Sequence, residues 1–516
     1  MKAKGLSTET ALIQRDGSNQ SLWQKVPNIP LTSNFPADVV YDVLIIGGGI
    51  TGITTALLLQ QKGKSVILAE AYNIGFGTTG GTSAHLNTFF DATYPEIDSD
   101  FGEDASKLIA NSGKEAMEMI AAFVKQYDID CDFEYKDGYL FSQNQDETKQ
   151  LDEILTSSQK AGIDVNESKS NGLPISFEKS IVFKQQGLFH PIKYITKLAE
   201  VFVQQGGMLV ENSFIGNIEK DDLFYKAESG DLSIKAFNVV YATHIPPGIN
   251  VANFTCAPYR SYVLGVTLKD DNYPNCLSYD MQEPYHYFRT HEVDGKKYLV
   301  VGGEDHKTGH DDPEQAFKNL EDYVRGIYNV DEVAYKWSSQ YYTPTDGLPY
   351  IGKLPLGGNE VYIATGYNGN GMMFGTLAGR ILSDMICGEQ NQYEKLFSPS
   401  RIKPVAGFTE FVKENATVAW DFVAGRFSSK DIESLNELKN GDGMIAKYKG
   451  EKLAVYKDEH GKIHALSPVC THAKCIVNFN AEEKSWDCPC HGGRFDIEGN
   501  VLTGPPRSEL KKIDII

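Results

Sequence analysis

Between Tyr41 and Ile46 the chain runs through a short β-branched and aliphatic stretch with no alternation, the pattern of a parallel strand buried on both faces. A glycine run follows, then TTALLLQQKG, which reads as a helix, and Ser65–Ala69, which reads as a second buried strand. Helical periodicity recurs through 100–160, interrupted by a strand-like Gly138–Phe141, and again over KYITKLAEVFVQQGG, with a further strand at Val239–Thr243. Residues 255–340 are strand-rich with turn signals such as Asp294-Gly295, which predicts an antiparallel sheet. A late strand, Val361–Ala364, enters a glycine-rich loop and a helix through Leu382. In 396–427, Phe408, Phe411, Val412, Ala419, Phe422 and Val423 recur at helical spacing and predict a linker helix with one apolar face. Its polar face lacks the basic residues of a membrane-surface helix, so packing between domains is the expected use. No apolar run approaches the length of a transmembrane helix.

The glycine run after the first strand is Gly47-Gly48-Gly49-Ile50-Thr51-Gly52, a G-x-G-x-x-G, and the second strand ends at Glu70. Each part has a role in dinucleotide binding. Gly47 makes the tight turn, Gly49 lets backbone approach a pyrophosphate, and Gly52 permits close helix–strand packing. The helix N-terminus supplies N–H groups and partial positive charge, and Glu70 can accept ribose hydroxyls. A lone glycine motif is weak; strand, glycines, helix, strand and acid in this order are much stronger. FAD and NAD share the fingerprint. The late loop Gly366–Gly375 could be a second one, but the polar, proline-bearing CGEQNQYEKLFSPSR that follows supplies no strand to complete a βαβ unit.

Near the C-terminus stands Cys470-Thr471-His472 and, fifteen residues later, Cys488-Pro489-Cys490-His491-Gly492-Gly493. Two thiolates and two imidazoles delivered as C-x-H and C-x-x-H suit an iron–sulfur centre of mixed ligation. Zinc also accepts a Cys2His2 set, although zinc fingers place both cysteines before both histidines. This segment resembles a Rieske domain, which implies a 2Fe–2S cluster held by Cys470, His472, Cys488 and His491. In Rieske domains of the respiratory-complex type, cysteines at the positions of Cys475 and Cys490 form a disulfide, and the match implies the same pair here; two reduced thiols are the alternative. Thr503-Gly504-Pro505-Pro506 resembles the proline-rich loop that covers the cluster in that family.

The fingerprint, the Thr/Ser-rich Gly75–Leu86, Asp346–Gly352 and the late glycine loop together resemble the D-amino-acid oxidase and glycine oxidase family of flavoproteins, over roughly 40–390. The resemblance implies FAD, bound by Gly47, Gly49, Gly52, Glu70, Thr82, Ser83, His85, Gly366, Gly369, Gly371 and Met372, with the late helix aimed at the pyrimidine edge of the ring. His85 has the spacing of a histidine that carries covalent flavin in dimethylglycine-dehydrogenase relatives; its neighbours differ, so non-covalent FAD is expected. In oxidases of this family the antiparallel sheet binds the substrate. Arg289 is then the cation placed for a substrate carboxylate, or else a salt-bridge residue, and His306 a second candidate facing the flavin. The expected fold class is an α/β Rossmann-like, D-amino-acid-oxidase-like FAD domain with an antiparallel β substrate domain, plus a small all-β Rieske domain.

At 516 residues the chain is too long for one core. The expected division is a 1–40 extension, an oxidoreductase domain over 41–400 (substrate part mainly 255–340, with parts of 90–190), a linker helix over 401–427 and a Rieske domain over 428–516. A net charge of −20 argues against nucleic-acid partners. With no apolar leader near the N-terminus, the expected location is the cytoplasm. Cys131, Cys256, Cys276 and Cys387 show no pairing spacing and are expected as buried free thiols. The expected function is FAD-dependent oxidation of a small substrate, an amine or amino acid, with electrons passed singly to the cluster and on to a one-electron redox partner. A cluster-fed flavin reductase and a non-catalytic redox sensor are the alternatives. A Rieske oxygenase would need a mononuclear iron site of two histidines and a carboxylate, and no catalytic domain of that kind is visible.

Overall fold

The run Val40–Ile46 lies at the centre of a sheet ordered Tyr350–Lys353, Val361–Thr365, Leu232–Tyr241, Val40–Ile46, Val66–Ala69, Met208–Val210. All neighbours in this row run parallel except the first pair. Ile46 pairs with both Tyr241 and Ala69, so three strands end level and deliver their loops to one carboxyl edge, where such folds bind ligands. Helices Ile50–Gln61 and Gly371–Ile386 pack closely on one another. A Cβ on Gly375 would lie 2.8 Å from Ile50 Cγ2, and one on Gly379 2.6 Å from Thr54 Cγ2, so glycine sets this approach. Both helices start at the same edge of the sheet.

A computed structural model of the chain describes residues 14–26, 31–33, 39–310, 312–401, 414, 417–418, 420–421, 430–432 and 434–515. The apolar positions of the expected linker helix (Phe408, Phe411, Val412, Ala419, Phe422 and Val423) lie outside the described residues. Of the four unpaired thiols expected to be buried, Cys131, Cys256 and Cys276 are, whereas Cys387 is half-buried near the end of its helix.

The second sheet has nine strands and draws on the 255–340 region, on segments within 90–190 and on His85–Leu86. Its path runs Val330–Pro344, Cys256–Leu268, Lys296–Lys307, Tyr287–Val293, Leu277–Asp280, Glu134–Ser142, Lys179–Leu188, His85–Leu86, with Val165–Ser168 added on Lys179–Leu188. The pairing of Leu277–Asp280 with Glu134–Ser142 is parallel; it is what splices the earlier segment into the sheet. The C-terminal region forms two four-stranded sheets around Trp486, Phe495 and the cysteine loops. The N-terminal segment is also part of the fold, because Leu22 and Trp23 are buried and the Trp23 Nε1–H donates to Thr82 O at 2.6 Å.

Candidate functional site

One cavity of about 950 Å³ opens along the carboxyl edge of the parallel sheet and continues over the second sheet. Its first end is the glycine fingerprint. Gly47 has φ +112, and a Cβ there would lie 2.4 Å from Ala242 O; a Cβ on Gly52 would lie 1.9 Å from Gly47 O. Backbone therefore forms this wall, and no larger residue fits. Neither helix that starts here has a side-chain cap; Ile50 N–H donates to Thr79 Oγ1 at 3.1 Å and Met373 N–H to Asn370 O at 3.1 Å, while Thr51, Gly371 and Met372 of the two first turns line the cavity. Glu70 accepts from Gly48 N at 2.6 Å and Tyr72 N at 2.9 Å, while burial raises its pKa. Uncapped helix ends, a side-chain-free cradle and a carboxylate at the second strand fit a dinucleotide such as FAD.

Of the FAD residues inferred from the sequence, Gly47, Gly49, Glu70, Thr82, Ser83, His85, Gly369, Gly371 and Met372 line this cavity. Gly52 and Gly366 do not: Gly52 packs beneath Gly47, and Gly366 turns the chain at φ +74 against Cys256 and Pro344. His85 sits deep, with Nδ1 2.9 Å from Ser83 Oγ and Nε2 3.4 Å from Phe288 O, and burial holds its pKa well below the usual value.

The two substrate-side residues are placed differently from the sequence reading. Arg289 is fully buried and lies outside the cavity lining, one pleat beyond Tyr287, where the 83–84 backbone covers it. Its Nη1 donates to Ser83 O at 3.0 Å and Ala84 O at 2.6 Å, and its Nη2 lies 2.6 Å from His291 Nδ1. The guanidinium holds the His85 segment in place, so it does not meet a substrate carboxylate. His306 also faces away; it stacks on Tyr262 and contacts the Tyr262 hydroxyl at 3.0 Å. Side chains alternate along a strand, and the residue one position earlier, Asp305, is the one in the cavity. Asp91, Tyr279, Tyr285, Tyr287 and Tyr341 share this end with Asp305.

In the C-terminal loops Cys470 and Cys488 are buried free thiols that share a hydrogen bond. The His472 and Ala473 N–H groups point at the Cys470 sulfur, whose pKa is lowered chiefly by the Cys488 thiol; the Cys490 and His491 N–H groups point at Cys488. Such N–H donors favour thiolate ligands. The His472 and His491 rings lie 4.9 Å apart, and His472 Nδ1, His472 Nε2 and His491 Nδ1 are buried without hydrogen-bond partners. Orphaned imidazole nitrogens beside two cradled sulfurs fit a 2Fe–2S centre of mixed ligation. Cys475 and Cys490 are joined by a disulfide. The sulfurs of Cys475, Cys488 and Cys490 also cluster within 4.8 Å, but two of them are in that disulfide and are not thiolate donors, which leaves Cys470, His472, Cys488 and His491 as the candidate ligands.

The ligand loops are seated on the cavity wall. Tyr342 O–H donates to His491 O at 3.1 Å, and its ring lies 4.8 Å from that of His244, a cavity residue. Gln340 Nε2–H donates to Gly492 O at 3.0 Å, while Gln340 O accepts from Thr78 Oγ1 at 3.0 Å. Thr503 and Gly504 line the cavity, and Pro505 O accepts from Gly248 N at 2.8 Å.

A buried ion network fastens this arrangement, and nothing in the sequence reading anticipated it. Arg15 Nη1 lies 3.1 Å from Glu483 Oε2, and Arg260 Nη2 3.5 Å from Glu483 Oε1. Arg494 contacts Asp16 Oδ2 at 2.8 Å and Asp487 Oδ1 at 3.1 Å. Three cations and three anions thus join the N-terminal segment, the large sheet and the C-terminal domain. Burial pushes Glu483 up, but Arg15, Arg260 and Arg494 outweigh it and bring its pKa to about 2. The partners do not all gain: burial lowers the pKa of Arg260, whereas Asp487, Asp16 and Glu483 raise that of Arg494 against its burial.

Residues 42–385 match the FAD dependent oxidoreductase family, and residues 429–514 match the Rieske [2Fe-2S] domain family. YhfW of Bacillus subtilis (strain 168), described as a Rieske 2Fe-2S iron-sulfur protein, is 30% identical over 499 residues, covering 96% of this chain and 98% of its own length. The gamma-glutamylputrescine oxidoreductase of Escherichia coli (strain K12) is 24% identical over 381 residues, 69% of this chain and 86% of that protein. The glycine oxidase of Geobacillus kaustophilus superposes with a TM-score of 0.59 at 18% identity, covering 70% of this chain and 99% of that one, which is a likeness of fold. With a dinucleotide cradle at one end and a thiolate–imidazole set at the other, the chain belongs to the FAD-dependent oxidoreductase family and carries a C-terminal Rieske domain, with FAD and a 2Fe–2S cluster as its cofactors.

Proposed function

We propose that this chain is a cytoplasmic enzyme that oxidises a small amine or amino acid and passes the electrons from FAD to its own Rieske cluster, from which an external one-electron partner takes them. FAD supplies a two-electron acceptor and the cluster a one-electron carrier. The observation that carries the reading is the docking of the cluster-ligand loops on the flavin cavity: His244, Tyr342 and His491 form a continuous line of contacts from the cavity wall to a cluster ligand. The chain's own residues have distinct tasks. Gly47, Gly49 and the first helix would hold the diphosphate end of FAD, and Glu70 would accept from the ribose hydroxyls. Arg289 and Trp23 fix the 82–85 segment from behind. Tyr342 and Gln340 register the cluster loops against the cavity. Burial brings the pKa of His244 down to about 4, so its ring is neutral at physiological pH.

Anaerobic stopped-flow mixing with a panel of amines and amino acids tests the direction of flow. The flavin absorbance should bleach first and the cluster signal change second. The reverse order would refute this direction and favour a cluster-fed reductase. No reduction by any substrate, together with redox-dependent partner binding, would favour a sensor.

A further inference from the structure

The substrate end of the cavity has an uneven charge. The lining of the whole cavity holds eight acidic side chains, six of them apart from Asp16 and Glu70, and, among the described residues, no arginine or lysine. Glu96, Glu153 and Glu283 are exposed around it, and Asp91 and Asp305 lie further along. Asp91 Oδ2 accepts from Gly369 N at 2.6 Å, which sets this carboxyl beside the loop that starts the late helix. A Cβ on Gly369 would lie 3.0 Å from Asp91 Oδ2 and 3.5 Å from the Tyr285 hydroxyl, so both groups crowd the same point. Asp305 Oδ2 accepts from Tyr341 O–H at 2.8 Å, and the Ser261 hydroxyl adds a second hydrogen bond to this buried carboxyl. The Ser261 hydroxyl is also engaged with the Tyr287 hydroxyl at 3.0 Å.

We infer that the substrate is an aliphatic amine bound as a cation and carrying no free carboxylate, held between Asp91 and Asp305 against a wall of tyrosines. This rests on the reading that the cavity oxidises a small substrate. An ammonium group gives the Asp305 carboxyl, so far met only by neutral hydroxyls, a charge-assisted donor. The rings of Tyr279, Tyr285, Tyr287 and Tyr341 give the same cation aromatic surfaces to face. A free amino acid brings a second group, its carboxylate, for which this wall has no cationic partner. Arg289 does not serve, because it lies outside the cavity lining, behind the 83–84 backbone that its Nη1 holds. Like charge brought next to like charge in a recognition site is strongly discriminating. The acidic rim also favours approach of cations. Two neighbouring carboxyls without a cation should be partly protonated, and they are so perturbed: the pKa of Asp91, an exposed residue of the cavity lining, is raised to about 6, while burial raises that of Asp305 to about 7.

Calorimetric titration of the FAD- and cluster-loaded protein tests this with matched pairs that differ by one carboxylate: 1,4-diaminobutane against ornithine, and phenethylamine against phenylalanine. At least one amine should bind, about 100-fold or more tighter than its carboxylated partner. Asp305→Asn and Asp91→Asn should each weaken amine binding about tenfold or more with the flavin spectrum unchanged. If one variant fails to fold, the other variant and the wild-type pairs decide. An amino acid that binds as tightly as its amine, or binding of neither class, overturns the inference. An amine that binds but never bleaches the flavin contradicts the oxidation reading and leaves the substrate class standing.

Discussion

Replacing Glu483 by glutamine should loosen the Rieske domain from the flavin domain without disturbing either core. Glu483 is 2% exposed and faces Arg15, Arg260 and Arg494, which come from three parts of the chain. The amide keeps the shape and can still accept from Ser338 N and Oγ, which donate to the carboxylate at 2.9 and 2.6 Å. What is lost is one negative charge among three buried guanidinium groups. Removing one partner of a buried ion pair typically costs about 3–5 kcal/mol. A carboxyl held at about 2, where its ordinary value is 4.5, corresponds to about 3 kcal/mol of favourable interaction. The two estimates agree. Because this is a multidomain chain, the loss should be read locally. The visible circular dichroism of the cluster should melt at lower temperature in Glu483→Gln, while the flavin signal melts as in the parent protein. The pH dependence has a defined sign. A depressed carboxyl stabilises fully above its unfolded value, so the contribution is intact above about pH 4.5 and fades as pH falls toward 2. Over that window the parent protein should lose cluster-domain stability faster than the variant. Equal melting of cluster and flavin signals in the two proteins, at neutral and acid pH, would refute the network as the fastening.

Tyr342→Phe removes the hydroxyl that donates to His491 O and keeps the ring beside His244; it should cost about 1 kcal/mol of docking and slow cluster reduction while substrate still bleaches the flavin at the parent rate, as stopped-flow would show. Gly52→Ala places a methyl 1.9 Å from Gly47 O, an overpacking of about 1–3 kcal/mol, so FAD should bind about ten- to hundredfold more weakly by fluorescence titration. Cys470→Ser should abolish the cluster's electron paramagnetic resonance signal and leave the flavin spectrum intact. Acid precipitation should release the flavin into the supernatant, as expected if His85 is engaged with Ser83 and Phe288 instead of bonded to the ring.

The parts of this protein that were legible in sequence are those where function needs neighbouring residues in fixed order. A backbone turn against a pyrophosphate requires Gly47, Gly49 and Gly52 within six positions, and a mixed-ligand cluster requires C-x-H and C-x-x-H loops. For the nine-stranded sheet the strand-like Gly138–Phe141 and a share of 90–190 were legible, but the one parallel pairing that joins Glu134–Ser142 to Leu277–Asp280 leaves no local mark. The substrate end was missed by a single pleat: His306 and Asp305 are adjacent, and which of them faces the cavity depends on a register that only the neighbouring strands fix. The ion network was invisible for a different reason. Its members sit at 15–16, 260 and 483–494, and scattered charges in a sequence look like solvated surface until the fold brings them together. One available hint was Leu22-Trp23, an apolar pair between polar neighbours, which is buried in the structure.

The central claim is that both carriers exchange electrons inside one chain. Rapid-freeze electron paramagnetic resonance after single-turnover mixing with a reducing substrate, repeated over a hundredfold range of protein concentration, tests it most directly. The account predicts that the reduced-cluster signal grows in after flavin bleaching with a rate constant independent of protein concentration. A rate that rises in proportion to concentration would mean that electrons pass between molecules, and would contradict it.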